Sequence, residues 1–100
     1  MTSAGVDVRM PGVDELRAAI ADTDRDIVAL IAQRLDLVRS LGREKSRCGV
    51  PTADPAREAA VLRSVAAGAR AAGLAEEPVR EVFWCLIEMC RSAQLREQRL

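Results

Sequence analysis

Counting forward from Leu16 in steps of four and three gives Leu16, Ile20, Thr23, Ile27, Leu30, Arg34, Leu37 and Leu41. Side chains at that spacing share one face of an α-helix. The segment from about Val13 to about Gly42, or a little beyond, therefore reads as one long helix with an apolar stripe. Asp14 and Glu15 suit its N-terminal end, where the helix dipole is positive. Ser46 to Ala53 contains Gly49 and Pro51 and predicts a loop. Asp54-Pro55 predicts the start of a second helix, with Asp as the N-cap and Pro at the first helical position. That helix runs to near Gly73, which suits a C-cap. Pro78 predicts the opening of a third helix, whose inward face reads Val79, Phe83, Leu86, Ile87, Cys90 and Gln94. No alternation of period two extends far enough to predict a strand. The pattern describes an all-α chain of three helices, one long and two shorter, forming a single domain over residues 13–100 behind a flexible tail at 1–12.

The first helix is too long for a compact monomer. About 30 residues at 1.5 Å each extend ~45 Å. A globule of this size has a radius of gyration of ~13 Å and is roughly 35 Å across. A protruding helix would leave its apolar stripe in water. Pairing with a second copy removes that exposure, so the pattern predicts an intertwined homodimer. Its isologous interface brings residues of one chain near the other chain's pocket.

Composition narrows the chemistry. The 100 residues include one Phe, one Trp and no Tyr, so the core must come from Ala, Val, Leu and Ile. A formal net charge of zero argues against a general nucleic-acid binder, although a neutral total can hide a local basic pocket. No run of 18 apolar residues predicts a membrane span, and the first twelve residues lack the apolar segment of a signal peptide. Cys48, Cys85 and Cys90 form no CxxC pair, and there is no histidine. Neither a disulfide framework nor a metal site is expected, and a cytoplasmic location follows as the default. Without histidine, Ser-His and Cys-His nucleophilic arrangements are excluded. An enzyme of this composition would work by positioning and fixed electrostatics.

Several polar residues sit where the pattern calls for apolar ones. Arg34 interrupts the stripe of the first helix, and a cation there needs an anionic partner: a structural acid or an anionic ligand. Lys45, the single lysine beside 14 arginines, lies eleven residues on and shares that face if the helix continues. It could equally snorkel past the helix end. Glu58 shares a face with Val61, Leu62 and Val65 and points inward, where it could simply complement the helix dipole. Arg57 beside it could be solvent-exposed. Gln94 extends the Phe83–Ile87–Cys90 stripe, as a structural amide or a ligand contact. Arg17 flanks the first stripe as a surface residue or as a group reaching a partner's site. Cys90 reads as a small core residue, and Asp22, Asp24, Arg25 and Asp26 as a solvated face. Together these residues describe a pocket of two or three cations, an inward acid and an amide, suited to a small, multiply anionic ligand.

The segments LRAAIADTDRDIVALIAQR, GREK and DPAREAAVL, with the third helix ending at Gln94, resemble the all-helical chorismate mutases in both composition and spacing. The resemblance covers Val13 to Gln98. It implies intertwined dimers in which Arg17 reaches a substrate carboxylate in the partner's site. It further implies that Arg34 binds a carboxylate within its own chain and that Arg57 supports that binding. Lys45 and Gln94 would hydrogen-bond the ether oxygen of the substrate. Asp54 and Glu58 would hold the group at ring carbon 4. Two positions depart from the family's pattern: Cys90 stands where a serine commonly contributes near a ring carboxylate, and Ala53 stands where a larger side chain often precedes Asp-Pro. The implied reaction is the Claisen rearrangement of the dianion chorismate to prephenate, which needs no cofactor. Alternatives on the same fold are the same rearrangement of 4-amino-4-deoxychorismate, an isochorismate-pyruvate lyase, and a non-catalytic helical dimer. Glu58 counts against the lyase, and occupied site positions count against the non-catalytic dimer.

Overall fold

The computed structural model describes residues 10–51 and 53–99; most of the tail expected at 1–12 thus lies outside the described residues. Three helices follow one another: α1 over Val13–Cys48, α2 over Pro55–Ala71 and α3 over Glu76–Arg99. No strand occurs among the described residues.

Local chemistry explains each boundary. At the start of α1 the Glu15 carboxylate accepts a hydrogen bond from the Gly12 N–H at 2.8 Å, while Leu16 N–H donates to Gly12 O at 3.0 Å. This is the return half of a capping box. The helix runs on to Cys48, so Ser46, Arg47 and Cys48 are helical rather than part of the expected loop. Arg47 pairs with Glu44 one turn back, and the stop comes only at Gly49, where φ is +73°. Val50 N–H then reaches back to Lys45 O at 2.8 Å, closing a Schellman-type end. The α2 helix ends in the same way at Gly73, with φ +75° and Leu74 N–H on Ala69 O at 2.8 Å. Its last residue is Ala71, two before the expected glycine, because the glycine sits beyond the helix in the left-handed cap. The α3 helix opens two residues before Pro78, at Glu76. Proline is tolerated there because the first-turn N–H groups have no intrahelical acceptor in any case.

The chain divides into two compact units, Met1–Leu30 and Ile31–Leu100. In the first, the described part is the N-terminal portion of α1, where Leu16, Ile20, Ile27 and Leu30 are all exposed. Arg25 and Asp22 pair there on the expected solvated face. In the second, α2 and α3 form an αα-hairpin through the turn 72–75. Its buried apolar residues are Ala66 and Ala69 from α2 and Ile87, Cys90 and Ala93 from α3. Small side chains dominate, so the helices approach closely. The inward face expected for α3 is the observed one, with Val79, Phe83 and Leu86 half-buried above Ile87, Cys90 and Gln94.

Candidate active site

One cavity in the second unit gathers most of the polar residues that break the apolar faces. It has a volume of about 210 Å³. Arg34 and Lys45 come from α1, three turns apart on one face; Asp54, Arg57 and Glu58 come from the entry to α2; Cys90, Arg91 and Gln94 come from α3. Val38, Leu41, Val61 and Ile87 supply apolar wall. Four cations face two carboxylates, leaving a formal excess of two positive charges around a partly apolar space. The neutral net charge of the chain does hide a local basic pocket.

The cap of α2 sets the acidic side. Asp54 accepts the Arg57 N–H on its Oδ1 at 3.0 Å, and Glu58 N–H donates to Asp54 O at 3.1 Å. Asp54 is therefore the N-cap as expected, and capping fixes the direction in which Arg57 and Glu58 leave the helix. Arg57 is exposed but lines the cavity.

Arg34 is half-buried, and its Nη1 donates to the Cys90 Sγ at 2.8 Å. Among the described residues no carboxylate lies in ion-pair range of Arg34. The structural acid considered as its partner is thus not found there, and the guanidinium is turned to the cavity beside a thiol. Gln94 is 7% exposed and is the buried polar side chain among the described residues. It is held against α1 at a glycine: a Cβ at Gly42 would stand 2.8 Å from Gln94 Cγ. Gly42 is itself buried, so α1 puts no side chain of its own between its backbone and Gln94 of α3.

Two residues of this geometry were not among the expected site groups. The first is Gly42, which the pattern marks only as a place where a helix can end. The second is Arg91, whose Nη2 donates to Glu58 Oε1 at 2.7 Å while Nη1 donates to Glu88 Oε1 at 2.7 Å. Glu58 raises the Arg91 guanidinium further above its ordinary range, first through the hydrogen bond and then through charge. Position 91 lies three residues before Gln94, and an inward acid at Glu58 calls for a cation; that combination was the available signal. Arg17 is exposed in the first unit and is not among the residues lining the cavity.

The profile of the family described as chorismate mutase type II matches residues 16–95. The chain belongs to that family. Among curated relatives, the T-protein of Haemophilus influenzae is 34% identical over 74 residues, covering 74% of this chain and 20% of the relative. The 3-dehydroquinate dehydratase of Pyrobaculum aerophilum is 31% identical over 84 residues, covering 84% of this chain and 24% of the relative. The T-protein of Enterobacter agglomerans is 39% identical over 68 residues, covering 68% of this chain and 18% of the relative. The chain thus spans between about a sixth and a quarter of the length of these relatives. No solved structure matches it at a significant level. The stretch that marks it as a chorismate mutase type II chain takes in Arg17 and every residue lining the cavity. No helix among the described residues is long and apolar enough to cross a membrane.

Proposed function

We propose that this protein is a chorismate mutase, converting chorismate to prephenate by a unimolecular Claisen rearrangement. The observation that carries the reading is the joint presence of Arg34, Lys45, Arg57 and Gln94 on one cavity, in a chain of the chorismate mutase type II family. A dianionic substrate matches the cavity's excess of two positive charges. Arg34 and Arg57 hold carboxylates through charge-assisted hydrogen bonds and fold the enolpyruvyl side chain over the ring. That removes conformational entropy before any bond changes.

As the C–O bond breaks, negative charge develops on the ether oxygen. Lys45 and Gln94 donate to that oxygen as a preorganised oxyanion hole, where one donor is worth about 3–4 kcal/mol. Gln94 is suited to this by its burial: its position is set by packing against Gly42, so little reorganisation is needed during reaction. Glu58 and Asp54 receive the hydroxyl at ring carbon 4, and Cys90 lies beside Arg34 at the carboxylate end.

The functional unit is an intertwined homodimer. Exposure of Leu16, Ile20, Ile27, Leu30, Leu37 and Leu41 along one helical face supports it, since a stripe of that length in water invites a second copy. Arg17 then serves the site of the other copy and binds a substrate carboxylate there.

The test is a substrate panel with purified protein: chorismate, 4-amino-4-deoxychorismate and isochorismate, each assayed alone. Prephenate formed from chorismate with the highest kcat/KM supports the reading. A higher kcat/KM on the amino analogue would reassign the substrate, and pyruvate release from isochorismate would reassign the reaction.

A further inference from the structure

The acid that is to receive the ring substituent already carries a cation. Glu58 and Arg91 join α2 to α3 across the cavity at 2.7 Å, with side chains 28% and 40% exposed. Arg91 is held on two other sides as well. Its second nitrogen pairs with Glu88 at 2.7 Å, and its guanidinium carbon stands 5.9 Å from the centre of the Trp84 ring. Two carboxylates and an aromatic face thus position the guanidinium in the cavity wall.

This arrangement selects among substituents. A carboxylate has two oxygens and about four acceptor positions, so Glu58 can accept from Arg91 and from a ligand hydroxyl together. A neutral hydroxyl brings no charge and is compatible with the resident cation. An ammonium at the same place would share the carboxylate with Arg91, putting two cations within about 4–5 Å, where like charges repel. The Glu58 carboxylate, one of the two acids at that end, is therefore already neutralised.

We infer that Arg91 is a specificity-determining residue, which reserves the Glu58 end of the cavity for a neutral hydroxyl and turns away analogues bearing an ammonium. The inference rests on the chorismate mutase reading and names the substrate class within it.

Arg91→Met keeps the apolar stem and removes the charge; Arg91→Lys keeps the charge. Helical circular dichroism establishes that each is folded. For wild type and both variants, kcat/KM is measured on chorismate and on its 4-amino analogue, and dissociation constants of both ligands are measured by calorimetry. Arg91→Met is expected to shift the hydroxyl-over-ammonium preference toward the ammonium by about tenfold or more in both ratios. Arg91→Lys is expected to restore most of the wild-type preference. A preference unchanged within threefold in Arg91→Met, while chorismate still turns over, overturns the inference and leaves the proposed function standing. If wild type turned over neither compound, the proposed function would fail, and the two dissociation constants would still decide the inference. Failure of both ligands to bind would overturn it.

Discussion

Replacing Gly42 by alanine tests whether the packing directly behind Gln94 sets its position for the proposed reaction. The new Cβ would lie 2.8 Å from Gln94 Cγ, 3.4 Å from the Gln94 carbonyl oxygen and 3.6 Å from its Cα. Carbon atoms rest at about 3.5–4.0 Å, so Gln94 Cγ must retreat by ~0.7–1.2 Å. Gln94 is buried, which leaves rotation or a shift of the α3 backbone as the outlets. Stability has two opposing terms. Alanine gains ~1 kcal/mol over glycine inside a helix, while overpacking costs ~1–3 kcal/mol. The net is a loss of about 0–2 kcal/mol, which a folded protein can absorb. Turnover has no such compensation. A misplacement of ~1 Å in a positioned group can cost ~100-fold, and deleting an oxyanion donor outright costs ~100–1,000-fold. Gly42→Ala is therefore expected to lower kcat by about a hundredfold with a modest change in melting temperature, and Gln94→Ala to lower it at least as far. The assay follows loss of chorismate absorbance at saturating substrate, beside thermal unfolding by circular dichroism. Gly42→Ala retaining kcat within threefold of wild type would refute the positioning argument. Gln94→Ala retaining it would refute the donor role itself.

Three further outcomes are expected. Leu37→Asp places a charge on the exposed α1 stripe; if a second copy covers that stripe, sedimentation should show loss of the dimer together with loss of helical signal, and a fully helical monomer would contradict the reading. Arg17→Ala and Arg34→Ala should each be inactive, yet mixing the two after subunit exchange should recover activity, since one site per heterodimer draws both arginines from intact copies; no recovery would mean that Arg17 is not supplied by the other chain. Glu76 accepts from Arg70, and that hydrogen bond chiefly holds its carboxyl below the usual range, with the charges of Arg70 and Arg80 adding to it. Because the folded value is lowered, its contribution is present above the ordinary carboxylate range and is lost as pH falls through the folded value. Melting temperatures of wild type and Glu76→Gln should then differ at neutral pH and converge in acid, and a gap independent of pH would discount the pair.

The helices and the residues that punctuate them were legible in the chain, because each is decided by near neighbours. A repeat of 3.6 residues marked the stripe from Leu16 to Leu41 and put Arg34 and Lys45 on one face. Asp54-Pro55 marked a helix start through one cap hydrogen bond. The inward face of α3 could be read down to Gln94 by counting in threes and fours. The end of α1 slipped for a tertiary reason. Gly49 rather than Gly42 carries the left-handed cap of α1, and both glycines look alike until one is seen buried against another helix.

What the chain alone did not decide is which of these faces meet, and at what distance. The Glu58–Arg91 pair spans 33 positions and the Arg34–Cys90 contact spans 56. Neither has a periodic signature, because the first depends on how α2 packs on α3 and the second on how the later part of α1 packs on α3. That packing is set by the volumes of the side chains between helices, here mainly alanines, and by the missing side chain at Gly42. Local hydrogen bonds and helical repeat can therefore nominate Arg34, Lys45, Glu58 and Gln94 as inward polar groups. Only tertiary packing brings them to one cavity, and only there does Arg91 become the partner of Glu58, since a surface arginine and a site arginine differ in nothing but what the fold puts beside them.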